Sequence, residues 1–373
     1  MMKIMVSAAR IFTGLLFIFS GLVKAIDPLG LAYKMQEFFE AWADSGFVKT
    51  TMATLGNYAL SFSVIMITLE VAVGVALLLG WQKKITTSIL VLLMLFFTFL
   101  TSYVLFSGKI RACGCFGDCI PLTPIQTFIK DIILLALSLL LLVKRKYIFP
   151  VAKPWINTFY LLVCIIAVLV LHGYVLKHLP IKDCLPYKKG NNILALRKMP
   201  ADAVPDKYDY VFVYEKAGEK KTFPVTALPD STWKFSERKQ QLVKAGKNNV
   251  PLINDFSLTA EDGTDATDSI LNNPGEYYLF FIKEVPANTK EWLQAFKNMS
   301  SNAAAENKKI FIITSQRNAV KELFTKNNLP VNNIYTCDAT AIKTAARTNP
   351  ALYLMKGPVV QDKWSWADLE ETN

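Results

Sequence analysis

The fold is decided by residues 86 to 106, which read TTSILVLLMLFFTFLTSYVLF and contain no charged side chain. A helix needs about 20 apolar residues to cross the hydrocarbon core of a bilayer, so this stretch is long enough to span it. Four other stretches resemble it, and the predicted membrane helices are Ile11 to Ala25, Ala59 to Gly80, Thr86 to Phe106, Pro124 to Val143, and Trp155 to Leu176. The sequence therefore predicts a five-helix membrane domain over residues 1 to 176, with the lipid bilayer as its first partner.

Charged residues are distributed unevenly along the chain. Up to residue 176 there are 14 Lys or Arg and 7 Asp or Glu, and the remaining residues contain 27 and 23. The basic residues of the first part lie beside the apolar spans, and the second part has no basic stripe interleaved with aromatic residues. The pattern indicates a membrane half followed by a soluble half, and nucleic acid is not expected as a partner.

The positions of the basic residues predict the orientation of the helices, because cytoplasmic loops are enriched in Lys and Arg. Such residues precede the first span and join spans two to three and four to five: Lys3, Arg10, Lys83, Lys84, Lys144, Arg145, Lys146 and Lys153. We therefore expect a protein of the inner (cytoplasmic) membrane with a cytoplasmic N-terminus. Loops 26 to 58 and 107 to 123, and all residues after Leu176, are then extracytoplasmic (periplasmic). A cleaved signal peptide at residues 1 to 25 is the alternative, but the apolar run lacks a small-residue cleavage pattern.

The first extracytoplasmic loop contains a helical pattern. Its large apolar residues recur at the spacing of one helix face: Leu31, Met35, Phe38, Phe39 and Trp42. With Lys34, Glu37 and Glu40 on the other face, this pattern favours a helix lying in the membrane interface. A helix packed against the bundle is the alternative.

Three cysteines lie close together in the loop after the third span. Cys113, Cys115 and Cys119 fall within seven residues, on the side predicted to be oxidising, where thiols are rarely left unused. Cys115 and Cys119 can approach across one turn, and a bond between Cys113 and Cys115 would be strained and easily reduced. The cluster favours disulfide exchange, and a static structural bond with one spare thiol is the alternative. A metal or iron–sulfur site is the third possibility, although such clusters usually need four thiolates.

The first 145 residues resemble a known membrane family. The motifs that carry this resemblance are Arg10-Ile-Phe-Thr-Gly14, Phe19-Ser-Gly21-Leu-Val-Lys24-Ala-Ile-Asp27-Pro, Glu70-Val-Ala-Val-Gly74 and Cys113-Gly-Cys115-Phe-Gly117. They are similar to the DoxX-like family, and the cysteine motif is similar to its MauE-type branch. The resemblance implies a four-helix membrane protein involved in extracytoplasmic disulfide chemistry with a thioredoxin-like partner. The fifth span is an addition to that pattern.

Glu70 lies near the centre of the second span, where an ionisable group is costly and is therefore a functional candidate. Thiol oxidation releases protons, and Glu70 is a candidate proton acceptor for it. Helix packing through a protonated carboxyl is the alternative. The aromatic residues of the third span form either a quinone pocket or a lipid-facing surface: Phe96, Phe97, Phe99, Tyr103 and Phe106. A membrane quinone is thus the possible cofactor, and no metal is expected.

Residues 177 to 250 are predicted to be a β-rich connector. Tyr208 to Tyr214 and Lys221 to Val225 flank a turn sequence and form a hairpin pattern. Cys184 follows the fifth span closely, so it is expected near the membrane surface and is a candidate partner for the loop thiols.

Residues 251 to 373 alternate between strand and helix patterns, which is typical of an α/β domain with a mixed sheet. The predicted strands are Tyr277 to Ile282, Lys309 to Thr314, Asn333 to Thr336, Ala351 to Lys356 and Val359 to Lys363. The predicted helices are Thr289 to Ala304, Asn318 to Lys326, Ala339 to Ala346 and Trp364 to Glu371.

Residues 251 to 371 resemble the thioredoxin-like fold. The motifs are Asn349-Pro350-Ala-Leu-Tyr-Leu-Met355-Lys-Gly357 near the end and Asp255-Phe-Ser-Leu-Thr with Asp262-Gly263 near the start. The resemblance implies a cis-proline before the penultimate strand. It also implies redox cysteines in residues 283 to 289, but no cysteine is present there, so this domain cannot perform dithiol chemistry by itself. Cys337 is its only thiol, and it is predicted either near Pro350 or near the surface without a role.

These patterns lead to a functional hypothesis with alternatives. The leading one is a membrane thiol–disulfide oxidoreductase or electron relay that uses Cys113, Cys115, Cys119 and Cys184, with Glu70 as proton acceptor. The soluble domain would bind clients, which are periplasmic thiol proteins, and a quinone would accept the electrons. A membrane-anchored binding or assembly protein with structural cysteines is the alternative, and a small-molecule carrier is the third hypothesis.

Overall fold

The computed structural model describes residues 1–44, 48–110, 114–216, 218–244, 246, 248–286 and 289–372. In chain order its helices are α1 (Met2–Ala25), α2 (Pro28–Asp44), α3 (Lys49–Asn57), α4 (Ala59–Leu79), α5 (Lys83–Ser107), α6 (Pro124–Val143), α7 (Pro154–Lys177), α8 (Ile193–Leu196), α9 (Thr267–Leu271), α10 (Lys290–Ala305), α11 (Arg317–Lys326) and α12 (Ala339–Ala345). Single 3-10 helices occupy Arg145–Tyr147 and Trp366–Thr372. The strands are β1 (Lys207–Lys216), β2 (Glu219–Pro224), β3 (Lys234–Lys244), β4 (Glu276–Ile282), β5 (Lys309–Thr314), β6 (Ile334–Thr336), β7 (Ala351–Lys356) and β8 (Val359–Ser365).

Helices α1, α4, α5, α6 and α7 form the N-terminal bundle. Within the described ranges they are the five helices long and apolar enough to cross a membrane, so the prediction of five such helices is confirmed. Many of their large apolar side chains are exposed, including Phe12, Leu92 and Val170. An exposed apolar surface of this extent is unusual on a soluble protein and suits a lipid environment. Helix α6 begins at a capping box, in which Thr123 and Gln126 each bind the other's backbone N–H.

Helix α2 packs against this bundle. Its apolar face, which includes Met35 and Phe38, is buried in the same core as residues of α4 and α5. The ring of Phe39 lies 6.0 Å from that of Phe62 in α4, centroid to centroid. The sequence favoured an interfacial helix, whereas the structure has the packed alternative, because the bundle offers this face a surface of aromatic rings.

The two ends of the bundle differ in chemistry. At one end Arg10 donates to the carbonyl oxygens of Leu77 and Phe149, and Lys83 donates to that of Ile148. The other end includes the start of α2, the loop between α5 and α6, and the segment after α7. We call this second end the disulfide end, because Cys119 and Cys184 are bonded there.

The C-terminal region is built on a five-stranded sheet with the strand order β6-β5-β4-β7-β8. Strands β4, β5 and β6 are parallel, whereas β7 pairs antiparallel with both β4 and β8. Helices cover both faces of the sheet, and every residue of β4 except Glu276 is buried. From β4 to β7 the predicted strands and helices are present with bounds within one residue of those predicted, and α9 was not predicted. At the end, β8 extends to Ser365 and the last helix is of the 3-10 type. The Asn349–Pro350 peptide bond is cis, as the resemblance implied.

The structure divides the predicted connector into distinct parts. Tyr187 and Ile193 are buried in the core of the C-terminal region, and Asn192 forms a β-bridge with Val359 of β8. Residues before the hairpin therefore belong structurally to the five-stranded sheet. The predicted hairpin is present as β1 and β2, and β3 joins it in a separate antiparallel sheet with the order β2-β1-β3.

Candidate thiol site at the disulfide end

A disulfide joins Cys119, in the loop between α5 and α6, to Cys184, in the segment after α7. Their Cα atoms are 4.9 Å apart, which lies within the usual range for this bond. The sequence suggested Cys184 as a partner for the loop thiols, and the structure pairs it with Cys119. Cys113 lies outside the described residues.

The bond lies beside an open cleft of about 500 Å³. One wall is formed by α2 with Tyr33 and Glu37, and another by α12 with Lys343. Asp118 and Cys184 line it directly, so a dissolved molecule that enters the cleft meets the disulfide from the side of Cys184. The cleft has the size of a small-ligand site and is large enough to admit a side chain or short segment of another protein.

The loop that contains Cys115 is fixed to the top of the bundle. Gly114 and Gly117 have φ angles of +71° and +59°, a backbone region that disfavours other residues. The hydroxyl of Ser20 in α1 donates to the backbone carbonyl of Cys115 at 3.1 Å. Phe116 is buried, and its ring lies 6.2 Å from that of Phe19. The half-buried Cys115 is therefore held at the end of α1.

Below this loop, three charged side chains are buried in the bundle and a fourth, that of Lys130, is 23% exposed. Lys24 of α1 forms an ion pair with Glu70 of α4, and both side chains are at most 5% exposed. On α6, the ammonium nitrogen of Lys130 lies 2.6 Å from a carboxylate oxygen of Asp131, whose side chain is 1% exposed. Charges at such depth are costly unless they are paired, and both pairs satisfy that condition.

The two ion pairs belong to one group. Glu70, Lys130 and Asp131 line the same small cavity together with Ser20, and Lys130 interacts electrostatically with both Glu70 and Cys115. We call Lys24, Glu70, Lys130 and Asp131 the buried charge cluster. Sequence reasoning selected Glu70 alone. The available signal for the others is that Lys24 lies near the end of the first apolar span and that Lys130 and Asp131 interrupt the fourth.

The C-terminal region docks on the disulfide end through Arg347. Its guanidinium donates to Asp27 at 2.8 Å and to Asp118 at 2.6 Å, and its side chain is 6% exposed. Burial alone would lower the pKa of Arg347, but the charges of Asp27 and Asp118 raise it overall. The ring of Tyr33 in α2 faces three cations, with Arg347, Lys343 and Lys283 at 5.4, 5.5 and 5.8 Å from its centroid.

The edge of the sheet that makes this contact is the one where the resemblance placed redox cysteines. Lys283 follows β4, and its backbone N–H donates to the side chain of Asn349 at 2.9 Å. Asn349 in turn donates to the carbonyl of Glu284 at 2.7 Å. Between Lys283 and Thr289 the sequence has no cysteine. This edge therefore contributes positive charge to the docked interface and no thiol.

Cys337 lies in the core of the C-terminal region. It is 3% exposed and packs in the cluster that contains Tyr187 and Phe256, so the expectation of a surface-proximal thiol is wrong. Burial raises its pKa to about 12. Because thiol reactions proceed through the thiolate, this cysteine is unreactive at neutral pH.

Comparisons with known proteins match separate parts of the chain. The family "Methylamine utilisation protein MauE" matches residues 2–144, which cover α1 to α6. A domain of unknown function, DUF8463, matches residues 208–245, the three-stranded sheet. Protein TlpB of Flavobacterium psychrophilum is 44% identical over 75 residues, which are 19% of this chain and 20% of that protein. No solved structure matches the chain. The five apolar helices and the family match together indicate a membrane protein.

Proposed function

We propose that this protein is a membrane-bound thiol–disulfide oxidoreductase, or electron relay, acting at the extracytoplasmic face of the inner membrane. The observation that carries the proposal is that the Cys119–Cys184 disulfide lies at the wall of an open cleft. The loop with Cys115 precedes Cys119 directly and touches a buried charge cluster. The match to the MauE family and the similarity to TlpB support this class of protein.

The proposed reaction oxidises a client. A periplasmic protein with two thiols enters the cleft, and one of its thiolates attacks the disulfide to form a mixed disulfide. The second client thiolate then resolves it, so the client gains a disulfide and Cys119 and Cys184 become thiols. These thiols pass two electrons to a disulfide of Cys113 and Cys115, so Cys119 and Cys184 regain their bond while Cys113 and Cys115 become thiols. A membrane quinone would then oxidise Cys113 and Cys115 back to a disulfide, taking up two electrons and two protons to become a quinol.

In this proposal the C-terminal region is a thioredoxin-like domain that has lost its own redox pair. Its sheet order and the cysteine-free segment after β4 support this assignment. The domain docks through Arg347, and α12 forms part of the cleft. It therefore contributes a wall of the client site, and the edge near Lys283 faces α2 and is not a separate client surface.

Trapping of thiols in membranes tests the proposal. Membranes are held with an oxidised or a reduced quinone pool, a reduced dithiol peptide is added, and free thiols are alkylated and counted by mass. We expect Cys119 and Cys184 to be alkylated together when the quinone pool is reduced and to be protected when it is oxidised. Cys337 is the internal control, because its burial should keep it unmodified in both states. Protection of Cys119 and Cys184 under both conditions would show that they do not cycle.

A structural role for the same bond is the second candidate function, that of a membrane-anchored assembly protein. It is favoured by one observation: the bond ties the membrane loop to the soluble half across 65 residues of sequence. A purely structural bond closing such a loop is worth about 4 kcal/mol. The double variant Cys119→Ser, Cys184→Ser should then lose that stability, whereas under the oxidoreductase proposal it folds normally and fails to oxidise clients.

A further inference from the structure

We infer that Glu70 and Asp131, held by Lys24 and Lys130 around one internal cavity, form the proton-accepting site for thiol oxidation at the Cys115 loop. This inference rests on the proposed function and extends it from one carboxylate to a four-residue site. Three helices supply the charges: α1 gives Lys24, α4 gives Glu70, and α6 gives both Lys130 and Asp131. All three lie in the part of the chain that matches the membrane family.

The charges of this cluster are costly in their surroundings. Each ionised group inside a bilayer protein is unfavourable, and well-packed apolar residues usually stabilise such a core at least as well as ion pairs. The bundle here is otherwise rich in apolar side chains, and helix α5 faces the cavity with Met94 and Phe97 alone. Packing therefore gives no reason for two carboxylates at this place.

The two carboxylates of the cluster are incompletely paired. Glu70 and Asp131 both line the cavity, and Oδ2 of Asp131 is buried without a hydrogen-bond partner among the described residues. A buried carboxylate oxygen with no donor is costly, yet it is also the atom that a proton can occupy. The cavity measures about 20 Å³, which is enough space for one water molecule between the carboxylates.

The buried charge cluster lies next to the loop that contains Cys115. Ser20 lines the cavity and also donates to the carbonyl of Cys115. The ammonium nitrogen of Lys130 lies 5.0 Å from the ring centroid of Phe116 and interacts electrostatically with Cys115. The charge cluster is thus directly adjacent to the loop where oxidation would take place.

The chemistry then balances. Oxidation of two thiols to a disulfide releases two protons and two electrons, and a quinone takes up both kinds of particle as it becomes a quinol. The two sulfur atoms lose two electrons as the sulfur–sulfur bond forms, and these electrons would go to the quinone. Each proton would pass from a sulfur atom to a carboxylate oxygen of the site, and a bound quinone would supply the final acceptor for two protons and two electrons. The two ammonium groups of Lys24 and Lys130 balance the two carboxylates of Glu70 and Asp131, so the cluster has no net charge. When one carboxylate accepts a proton, the cluster as a whole carries a single positive charge.

The test measures how fast the Cys113 and Cys115 thiols are oxidised by a short-chain quinone in detergent, across a range of pH. A general base typically contributes about 100-fold or more to such a rate. We therefore expect Asp131→Asn and Glu70→Gln each to slow oxidation by about 100-fold and to change its pH profile. Asp131→Glu should restore most of the rate, because it returns a carboxylate to the cavity. Ser138→Ala is the matched control, since Ser138 is fully buried on the same helix and does not line the cavity.

Wild-type rates and an unchanged pH profile in both variants would overturn the inference. If the variants do not fold, infrared difference spectra of the wild type test the inference. Protonation of a buried carboxylate during thiol oxidation should produce a carboxylic-acid band, and isotope labelling of Asp and Glu should shift that band. The absence of that band also overturns it. This test is separable from that of the proposed function. If Cys119 and Cys184 cycle normally in the trapping experiment but the variants keep the wild-type oxidation rate, only the proton site is refuted.

Discussion

Arg347 and Asp27 are separated by most of the chain, and yet the Nε atom of Arg347 lies 2.8 Å from a carboxylate oxygen of Asp27. Asp27 lies two residues after the end of α1, and Arg347 lies four residues before the start of β7. The same guanidinium reaches Asp118, which precedes the disulfide cysteine Cys119. One buried side chain of the C-terminal region therefore holds both the membrane helix and the cysteine loop.

Removal of this side chain should loosen the docking of the two regions. In Arg347→Ala, two carboxylates lose their cation in a partly buried place, and breaking such a pair costs about 3 kcal/mol. We expect a lower unfolding free energy in detergent and faster proteolysis of the C-terminal region. Arg347→Lys should recover only part of the loss, because one ammonium group cannot bind two carboxylates in the geometry of a guanidinium.

The control for Arg347 is Lys189, which pairs with Asp362 while its side chain remains 67% exposed. An exposed pair contributes at most about 1 kcal/mol, so Lys189→Ala should leave stability and proteolysis nearly unchanged. Equal effects of the two substitutions would contradict a special role for Arg347 in docking.

The buried thiol of Cys337 predicts a pH dependence of stability. Burial raises its pKa from 9.0 to about 12, so above pH 9 the unfolded chain releases a proton that the folded chain keeps. The contribution of the neutral thiol is complete below pH 9 and is lost as the pH rises toward 12. Between pH 9 and 10 the loss amounts to about 1 kcal/mol. Denaturant unfolding at both pH values measures it.

Tyrosine and lysine groups titrate in the same range, so the informative quantity is the difference between wild type and Cys337→Ala. This variant lacks the thiol, and its stability should fall less between pH 9 and 10 than that of the wild type. Parallel curves would show that Cys337 does not titrate differently in the two states.

The sequence predicted what depends on local pattern. Apolar run length located the membrane helices, and the alternation of strand and helix patterns after residue 250 located β4, whose residues Tyr277 to Ile282 are all buried. The hairpin of β1 and β2 followed from a turn sequence between two apolar runs. These features are set by neighbours in the chain, and one sequence contains that information.

Features that depend on contacts between distant segments were not predicted. Lys24 and Glu70 are each visible in the sequence as charges near or inside an apolar span, but only the crossing of α1 and α4 brings them together. The placement of α2, in the membrane interface or against the bundle, depends on whether lipid or the bundle surface covers its apolar face. Arg347 had no local signal at all, because its partners lie at the other end of the chain.

The three-stranded sheet is predicted to depend on its own aromatic rings. The Phe223 and Trp233 rings lie 5.4 Å apart, and Tyr214 packs edge-on against Phe223 at 5.8 Å. Trp233→Ala should therefore cost about 2 kcal/mol and speed amide hydrogen exchange in β1 to β3. Val225→Ala is the control, since Val225 is 54% exposed and should change little. Equal amide exchange rates in Trp233→Ala and Val225→Ala would mean that other contacts stabilise the sheet.

Close approach of α1 and α4 should be sensitive to a single methyl group. A Cβ atom added at Gly74 would lie 2.8 Å from the carbonyl oxygen of Gly14 and 3.0 Å from the backbone nitrogen of Ile18, so the helices must move apart. Small residues allow such contacts between membrane helices, and overpacking them typically costs about 1 to 3 kcal/mol. Gly74→Ala should therefore lower the unfolding free energy in detergent by about 2 kcal/mol and weaken the Lys24–Glu70 pair, since Gly74 lies one turn from Glu70.

Gly173→Ala is the matched control, because a Cβ atom there meets nothing within 4 Å and alanine favours helix more than glycine. A loss in Gly173→Ala equal to that in Gly74→Ala would place the effect in the helices themselves and not in their contact.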